Sequence, residues 1–211
     1  LWVYVGVGVV SCALITFNIY DSCEGLSEAL RLSAFQVSSI MTTTGYATAD
    51  FNLWPGFSKT LLLILMFMGA CAGSTAGGLK VSRVIILVKG MRRELHRLLH
   101  PRSVRTLKLE GKRLDEQTLS SANSYLTVYV ASVVVIFLLL SIDNFDIETN
   151  FSATVACFNN IGPGLGVVGP AGNFSEYSVF SKLILTAAML LGRLEIFPLL
   201  LCFSPATWLK K

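Results

Sequence analysis

The sequence predicts an all-α integral membrane protein in which one unit, made of an outer helix, a short re-entrant helix, an extended strand and an inner helix, occurs twice. Its 211 residues are 53% hydrophobic and 14% charged, whereas soluble domains carry about 25% charged residues. An apolar stretch that begins Phe-Ser-Lys occurs in both halves of the chain. A glycine-bearing turn lies upstream of each copy, after a segment too short to span a bilayer. Such irregular backbone survives at membrane depth only inside protein or beside water.

Four apolar segments, residues 1–19, 57–88, 119–142 and 177–203, approach or exceed the roughly 20 residues that a spanning helix needs. Glycines interrupt the second segment in its middle. The chain opens at Leu1 within an apolar run and without a basic leader, so we predict no cleavable signal peptide. We therefore expect this sequence to be part of a longer protein.

Charged residues divide between the two sides of the predicted membrane. Eleven of the 17 Lys and Arg residues lie in residues 80–113, and Lys210 and Lys211 close the chain. The positive-inside rule places both regions in the cytoplasm. Acidic side chains in the opposite loops either concentrate cations at a pore mouth or only keep the loops solvated, and we favour a cation vestibule. They are Asp21, Glu24, Glu28, Asp50, Asp143, Asp146, Glu148 and Glu176.

The internal repeat defines the predicted organisation of the chain. Residues 57–70 align without gaps on residues 180–193, and Gly45 and Gly162 lie upstream at nearly the same offset. Repeated units around an axis create a central site in many transport proteins. We therefore divide the chain into one pore unit at residues 1–88 with a broken inner helix, a basic cytoplasmic linker at 89–118, and a second pore unit at 119–211.

The re-entrant helices are predicted at residues 27–41 and 148–158, and the turns that follow them resemble ion filters. A half-helix that descends into the membrane points the partial negative charge of its C-terminal end at the midplane, which favours a cation. Potassium loses its water where carbonyl oxygens replace it, and glycine permits the backbone angles required. Ordinary amphipathic re-entrant segments are the alternative. The predicted potassium-binding residues are Thr43, Thr44, Gly45, Tyr46, Asn160, Ile161, Gly162 and Pro163.

Other site classes are disfavoured. The five scattered cysteines show neither disulfide nor metal-ligand spacing. His96 and His100, four residues apart, lack a third ligand nearby, which favours a solvated helix face. The basic linker lacks the aromatic side chains that stack bases, so we expect no nucleic acid but a topological anchor and a surface for a cytoplasmic partner. The apolar region holds no nucleophile and base pair, which disfavours a membrane enzyme.

Four motifs carry a family resemblance: TTTGYAT, GACAGSTAGGLK, FNNIGPGLG and MLLGRLEIF, in this order. Together they resemble the C-terminal half of TrkH-type proteins in the Trk/Ktr/HKT superfamily of potassium transporters, over essentially the whole chain. The resemblance implies a potassium-channel-like fold of four units around one pore, of which this chain supplies the third and fourth. In that family a filter glycine in every unit accompanies potassium selectivity, so Gly45 and Gly162 imply potassium.

The glycine-rich segment at residues 69–78 is expected to break its helix, because each helical glycine costs about 1 kcal/mol. Close helix packing is the alternative reading of its small residues. The resemblance implies an intramembrane loop that gates the pore below the filter, with Arg193 facing the pore from the last helix. Glu195 either contributes to function or ties its helix to the rest of the protein. The gating residues implied are Gly73, Ser74, Thr75, Gly77, Gly78, Lys80 and Arg193.

The expected function is potassium uptake as part of a larger four-unit pore, with the potassium ion as substrate and no covalently bound cofactor. The alternative is a non-conducting assembly subunit or truncated fragment of such a transporter. The resemblance implies four partners: the missing N-terminal pore units, a second copy in a homodimer, a nucleotide-binding regulatory subunit of the TrkA type, and the lipid bilayer. It also implies a multi-pass protein of the bacterial plasma (inner) membrane.

Overall fold

The computed structural model describes residues 2–69, 74, 77–100, 108–109, 112–113 and 115–194. This part of the chain is predominantly helical. Its α-helices, in chain order, are α1 (Trp2–Ile19), α2 (Leu26–Met41), α3 (Gly56–Phe67), α4 (Val81–Leu99), α5 (Glu116–Leu140), α6 (Ile147–Phe158) and α7 (Val179–Arg193). Short 3₁₀ turns lie at Tyr20–Ser22, Phe51–Leu53, Ser141–Asp143, Gly166–Val168 and Phe174–Glu176.

The helices form two groups of three. In the first group α1, α2 and α3 pack on one another, and in the second α5, α6 and α7 do the same. Ile15, Ile40 and Leu62 bring one residue of each helix into the first core. The second core is richer in aromatic side chains than the first and includes Tyr129 and Phe158. Contacts of α3 with α6 join the two groups. Helix α4, which belongs to neither group, packs on α5.

The short helices agree closely with the sequence-based prediction. Helix α2 begins one residue before the predicted range 27–41, and α6 begins one residue before the predicted range 148–158. Both end at the predicted residue, because the turn that follows each of them leaves the helical conformation. In α6 nine of the twelve residues are buried, whereas α2 leaves Leu26, Leu30 and Phe35 exposed among polar side chains.

The second apolar segment is interrupted after Phe67, where the sequence analysis expected its glycines to break the helix. Within the described residues, two helices are long and apolar enough to cross a membrane, Trp2–Ser22 and Glu116–Asp143. Helix α3 has 12 residues, because the chain leaves the helix at Met68 rather than continuing towards residue 88. Helix α7 has 15 residues, and the remainder of the fourth predicted span lies outside the described residues.

The break in the second apolar segment is held by a pair of very short parallel strands. Strand β1 (Met68–Gly69) pairs with β2 (Leu79–Lys80), so the end of α3 lies beside the start of α4. Helix α4 follows directly and continues into the predicted linker as far as Leu99. A second pair, β3 (Lys108–Leu109) and β4 (Lys112–Arg113), is antiparallel.

Candidate ion-binding site

The short helices α2 and α6, predicted to be re-entrant, end in the same hydrogen-bonded turn. The N–H groups of Thr43 and Thr44 donate to the carbonyls of Ile40 and Ser39 at 3.1 and 2.9 Å. After α6, Asn160 and Ile161 donate in the same way to Cys157 and Ala156 at 3.0 and 2.8 Å. This pair of bonds defines a Schellman motif, in which the residue after the cap takes a left-handed conformation.

The backbone angles of the two turns also match. Thr43 and Asn160 have φ of 55° and 57°, and the glycines two residues later have φ of 79° and 110°. A β-branched residue such as Thr43 is rarely found with positive φ, so the helix ending must hold it there. Gly45 and Gly162 take angles that other L-residues adopt only with strain. The corresponding residues are therefore 117 positions apart in the chain.

The segments after these turns, predicted as filter strands, form no paired β-strand in the structure but lie directly against each other. A Cβ atom built on Gly45 would overlap the carbonyl oxygen of Ile161 and lie 3.3 Å from the ring of Pro163. A Cβ atom on Gly162 would meet nothing within 4 Å among the described residues. The C-terminal ends of α2 and α6 consequently converge, and each contributes about half a negative charge to the same region.

Side chains of the re-entrant helices brace the strands that follow. Ser39 donates its hydroxyl to the carbonyl of Tyr46 at 2.6 Å, and the Gln36 amide donates to the carbonyl of Ala49 at 3.2 Å. In the second unit one hydroxyl makes both bonds, because Ser152 accepts from the N–H of Leu165 at 2.8 Å and donates to its carbonyl. Sequence reasoning missed these braces, although small polar residues within apolar helices were a signal for them.

Asn52 links the two units on the predicted outer side. Its Nδ2 donates to the carbonyl of Gly166, its Oδ1 accepts from the N–H of the same residue, and both distances are 3.0 Å. Lys59 of α3 also forms an ion pair with Glu148 at the start of α6, at 3.1 Å. The sequence analysis did not identify Asn52, whose partner lies 114 residues away.

Several carboxylates of the predicted vestibule make structural bonds. Asp50 caps the turn at Phe51–Leu53 by accepting from the N–H of Asn52, and Asp143 accepts from the N–H of Ser178 at 2.9 Å. With Glu148 paired to Lys59, the outer side carries both signs of charge rather than a purely acidic rim.

Gly77 and Gly78 of the glycine-rich segment contact the C-terminal end of α6. Gly77 and Gly78 are buried, and Cβ atoms on them would lie 2.5 Å from the Asn159 carbonyl oxygen and 3.0 Å from Asn159 Oδ1. Ser74 and Lys80 are half-buried. Arg193 is exposed at the end of α7, while Gly73, Thr75 and Glu195 lie outside the described residues.

The chemistry available at the converging turns suits a weakly held cation. Backbone carbonyls and two helix C-termini provide partial negative charge without a carboxylate. Among the described residues no cluster of three His, Cys, Asp or Glu side chains could hold a metal ion as a fixed ligand set. The rings of His96 and His100 contact each other at the C-terminal end of α4, tilted by 52°, far along the chain from both turns.

Comparison with known proteins assigns the family. The profile of the family described as TrkH, a cation transport protein, matches residues 22–210. This chain belongs to the TrkH family. The family resemblance predicted from the four motifs is thus confirmed, and the family consists of cation transporters rather than enzymes.

Relatives within the TrkH family support the same assignment. The chain is 43% identical over 202 residues to the Trk system potassium uptake protein TrkH of Salmonella typhimurium, and 36% identical over 176 residues to TrkG of Escherichia coli. These alignments cover 95% and 83% of this chain but 41% and 36% of the relatives. The chain therefore spans about two fifths of the length of the curated relatives it matches.

A solved structure supports the helical membrane fold. The structure superposes on the potassium transporter TrkH from Vibrio parahaemolyticus with a TM-score of 0.88 and 38% identity, covering 97% of this chain and 44% of that one. Trk proteins are membrane proteins, in agreement with the two helices long enough to span a bilayer.

Proposed function

We propose that this chain contributes two adjacent pore units to a potassium-conducting transporter of the TrkH family, with residues 1–88 and 119–211 as the units and 89–118 as the cytoplasmic linker. One observation carries the proposal. Two re-entrant helices end in identical left-handed turns, and the glycine strands after them touch at Gly45 and Ile161. Such an arrangement brings two sets of backbone carbonyls to one place.

The filter in this proposal consists of Thr43 to Tyr46 in the first unit and Asn160 to Pro163 in the second. Carbonyl oxygens replace the hydration shell of potassium, and no fixed charge is needed to hold it. A glycine in each strand allows the alternation of backbone angles that turns successive carbonyls towards one side. The relatives are named potassium uptake proteins, and this supports potassium as the proposed substrate.

A ring of carbonyls that surrounds an ion requires more than two strands. Gly162 faces open space among the described residues, and Leu26, Leu30 and Phe35 of α2 are exposed. Both surfaces suit contacts with further pore units of the four-unit pore that the resemblance implies. The homodimer and the TrkA-type regulatory subunit that it also implies are further parts of this proposal. We place the proposed transporter in the bacterial inner membrane.

Gating in this proposal depends on the glycine-rich segment. The gating residues in this proposal are Gly73, Ser74, Thr75, Gly77 and Gly78, and the contact of Gly77 and Gly78 with Asn159 supports a position of these two glycines just beneath the proposed filter. Lys80 belongs to strand β2, which pairs with β1. Arg193 would add a positive charge on the cytoplasmic side that hinders cation passage.

The test is ion uptake by a chimera. This chain replaces the 202 residues of Salmonella typhimurium TrkH that align with it, in a bacterial host that lacks potassium uptake. We expect the chimera to take up potassium or rubidium, and Gly45→Ser to abolish the preference for potassium over sodium. Gly56→Ser is the matched control, because a Cβ atom there meets nothing within 4 Å.

Normal amounts of folded chimera without uptake would contradict conduction and favour an assembly role. Uptake by Gly45→Ser with unchanged potassium preference would remove the first strand from the filter. The chain expressed alone and together with the N-terminal remainder of the relative completes the design, because the proposal requires uptake only when further units are present.

A further inference from the structure

Helix α4 carries an apolar stripe beside a row of basic residues. The stripe recurs every three or four residues, so its side chains share one face of the helix. Its members are exposed by 40% to 79% in the described structure and are Val88, Met91, Leu95, Leu98 and Leu99. The basic row has the same spacing and consists of Lys89, Arg92, His96 and, at the cap, His100. The second half of α4 is therefore amphipathic, with a basic polar side.

The packing of α4 on α5 turns the stripe outward. Gly90 is buried, and a Cβ atom built on it would lie 2.7 Å from a methyl carbon of Leu119. Arg93 donates from both terminal nitrogens to the carboxylate of Glu116, at 2.5 and 3.2 Å. Gly90 and Arg93 lie on one side of α4, because residues three apart are neighbours on a helix surface. Leu95, five residues after Gly90, lies about 140° around the helix axis from this contact.

The contact with α5 also sets the depth of this stretch. The segment Glu116–Asp143 has 28 residues, whereas a hydrocarbon core takes about 20. Its first turn is polar, which places that end at the headgroup level on the predicted cytoplasmic side. Gly90 and Arg93 contact this end of α5. Residues 91–99 therefore follow at the headgroup level, where acyl chains and water are both within reach.

Anionic phospholipid has the chemistry that this surface fits. In water the stripe would be an unfavourable apolar patch, whereas at the headgroup level it can enter the boundary of the acyl chains. Basic side chains beside it lie at the depth of the lipid phosphates, to which they are attracted. Glu94, the only acidic residue of α4, is bonded to Arg93 at 3.2 Å, so α4 carries an excess of positive charge.

We propose that residues 88–99 form an interfacial helix that binds anionic phospholipids of the cytoplasmic leaflet. The apolar stripe enters the acyl boundary, and Arg92, next to the stripe, contacts the phosphates while its aliphatic stem lies along the apolar surface. This inference goes beyond the proposed function and does not depend on ion conduction. Failure of potassium uptake leaves it intact, and its own failure leaves the proposed pore intact.

The test measures which lipid lies against the stripe in the full-length chimera. Leu95→Cys, in a chimera without other cysteines, carries a fluorophore that brominated acyl chains quench. The purified chimera is placed in vesicles of phosphatidylcholine with a minor share of phosphatidylglycerol. Bromine is carried either by the phosphatidylglycerol or by an equal amount of the phosphatidylcholine, so the ratio of the two quenching values reports the local enrichment of the anionic lipid.

We expect brominated phosphatidylglycerol to quench the label at position 95 about threefold or more strongly than brominated phosphatidylcholine. Arg92→Gln should lower this ratio about two- to fivefold, because one basic side chain near an anionic surface contributes about fivefold in affinity. Met91→Cys, one turn earlier on the same stripe, is a second label position that should give the same result. It keeps the test decisive if Leu95→Cys reduces the amount of folded protein.

Two controls separate this site from general contact with lipid. A label at Arg97→Cys, two residues after Leu95 and therefore on nearly the opposite side of α4, should be quenched weakly by both lipids. Arg31→Gln removes an exposed arginine from α2 on the predicted outer side, and it should leave the ratio at position 95 unchanged.

Three outcomes would overturn the inference. Absence of quenching at positions 91 and 95 would mean that another part of the transporter or a second protein covers the stripe. Equal quenching by the two lipids would place the stripe in the membrane but deny the basic row any preference for anionic lipid. Equal quenching at positions 95 and 97 would show that α4 has no fixed side towards the lipid.

Discussion

The turns that follow α2 and α6 have the same backbone conformation but different surroundings. Thr43 and Asn160 occupy equivalent left-handed positions, and equivalent carbonyls accept at the ends of α2 and α6. Helix α6 is enclosed by α5, α7 and α3, whereas α2 packs mainly on α1 and α3 and leaves Leu26, Leu30 and Phe35 exposed. Gly45 lies against the other strand, and Gly162 faces open space within the described structure. Local hydrogen bonds therefore determine the shape of each turn, while the neighbours determine which substitutions the turn tolerates.

The largest expected effect comes from Gly45→Ala. The new methyl group would overlap the carbonyl oxygen of Ile161, and the left-handed backbone alone costs about 1–2 kcal/mol. One of the two strands must move, so both sets of carbonyls lose their alignment. We expect the ratio of potassium to sodium uptake by the chimera to fall about tenfold or more. An unchanged ratio would show that contact between the strands is not needed for selectivity.

Gly162→Ala tests the same backbone strain without the collision. Its φ of 110° is unfavourable for alanine, but the methyl group meets no described atom within 4 Å. The expected loss of potassium preference is about threefold, clearly smaller than for Gly45→Ala. The comparison uses uptake ratios measured at equal amounts of folded chimera. A loss as large as that of Gly45→Ala would mean that another part of the transporter encloses Gly162.

Asn52→Ala tests how the two units are joined. The change removes two hydrogen bonds to Gly166 that cross between the units, at about 0.5–1.5 kcal/mol each. We expect the free energy of unfolding to fall by about 1–3 kcal/mol, measured by thermal unfolding of the purified protein. Asn173→Ala is the control, because Asn173 accepts only from the nearby Ser175. Equal losses in the two variants would show that the link between the units contributes nothing of its own.

Local features of the sequence predicted much of this architecture. The ends of both re-entrant helices were predictable, because an apolar segment meets a turn whose glycine needs positive φ. The break in the second apolar segment was predictable from its glycines, although α3 ends at Phe67, two residues before the first of them at Gly69. The pairing of Met68 with Leu79 explains this early ending, and no local pattern reveals such a parallel pair.

Contacts between distant residues were not predictable from one sequence. Asn52 and Gly166 are 114 residues apart, and nothing in the vicinity of Asn52 indicates a backbone partner in the other unit. The sequence analysis predicted Asn160 as a filter residue and did not identify Asn159. Asn159 contacts Tyr129 within α5 and Gly78 just before β2, and both residues are far from it in the sequence. Such sites depend on how the units dock, which periodicity does not encode.

The smallest expected effect is a gain in stability from Thr43→Asn, which gives the first unit the residue of the second. Threonine is β-branched and disfavours its φ of 55°, whereas asparagine is the residue, after glycine, most often found in this position of a helix ending. We expect the free energy of unfolding to rise by about 0.5 kcal/mol, measured by thermal unfolding beside the unchanged chain. The reverse change, Asn160→Thr, should cost more than this gain, because it also removes the bond from Asn160 Nδ2 to the Met189 carbonyl at 3.1 Å. If Thr43→Asn instead destabilises the protein, contacts of the threonine methyl or hydroxyl group stabilise the turn more than its backbone angles disfavour it. The two turns are then equivalent in shape but not in what stabilises them.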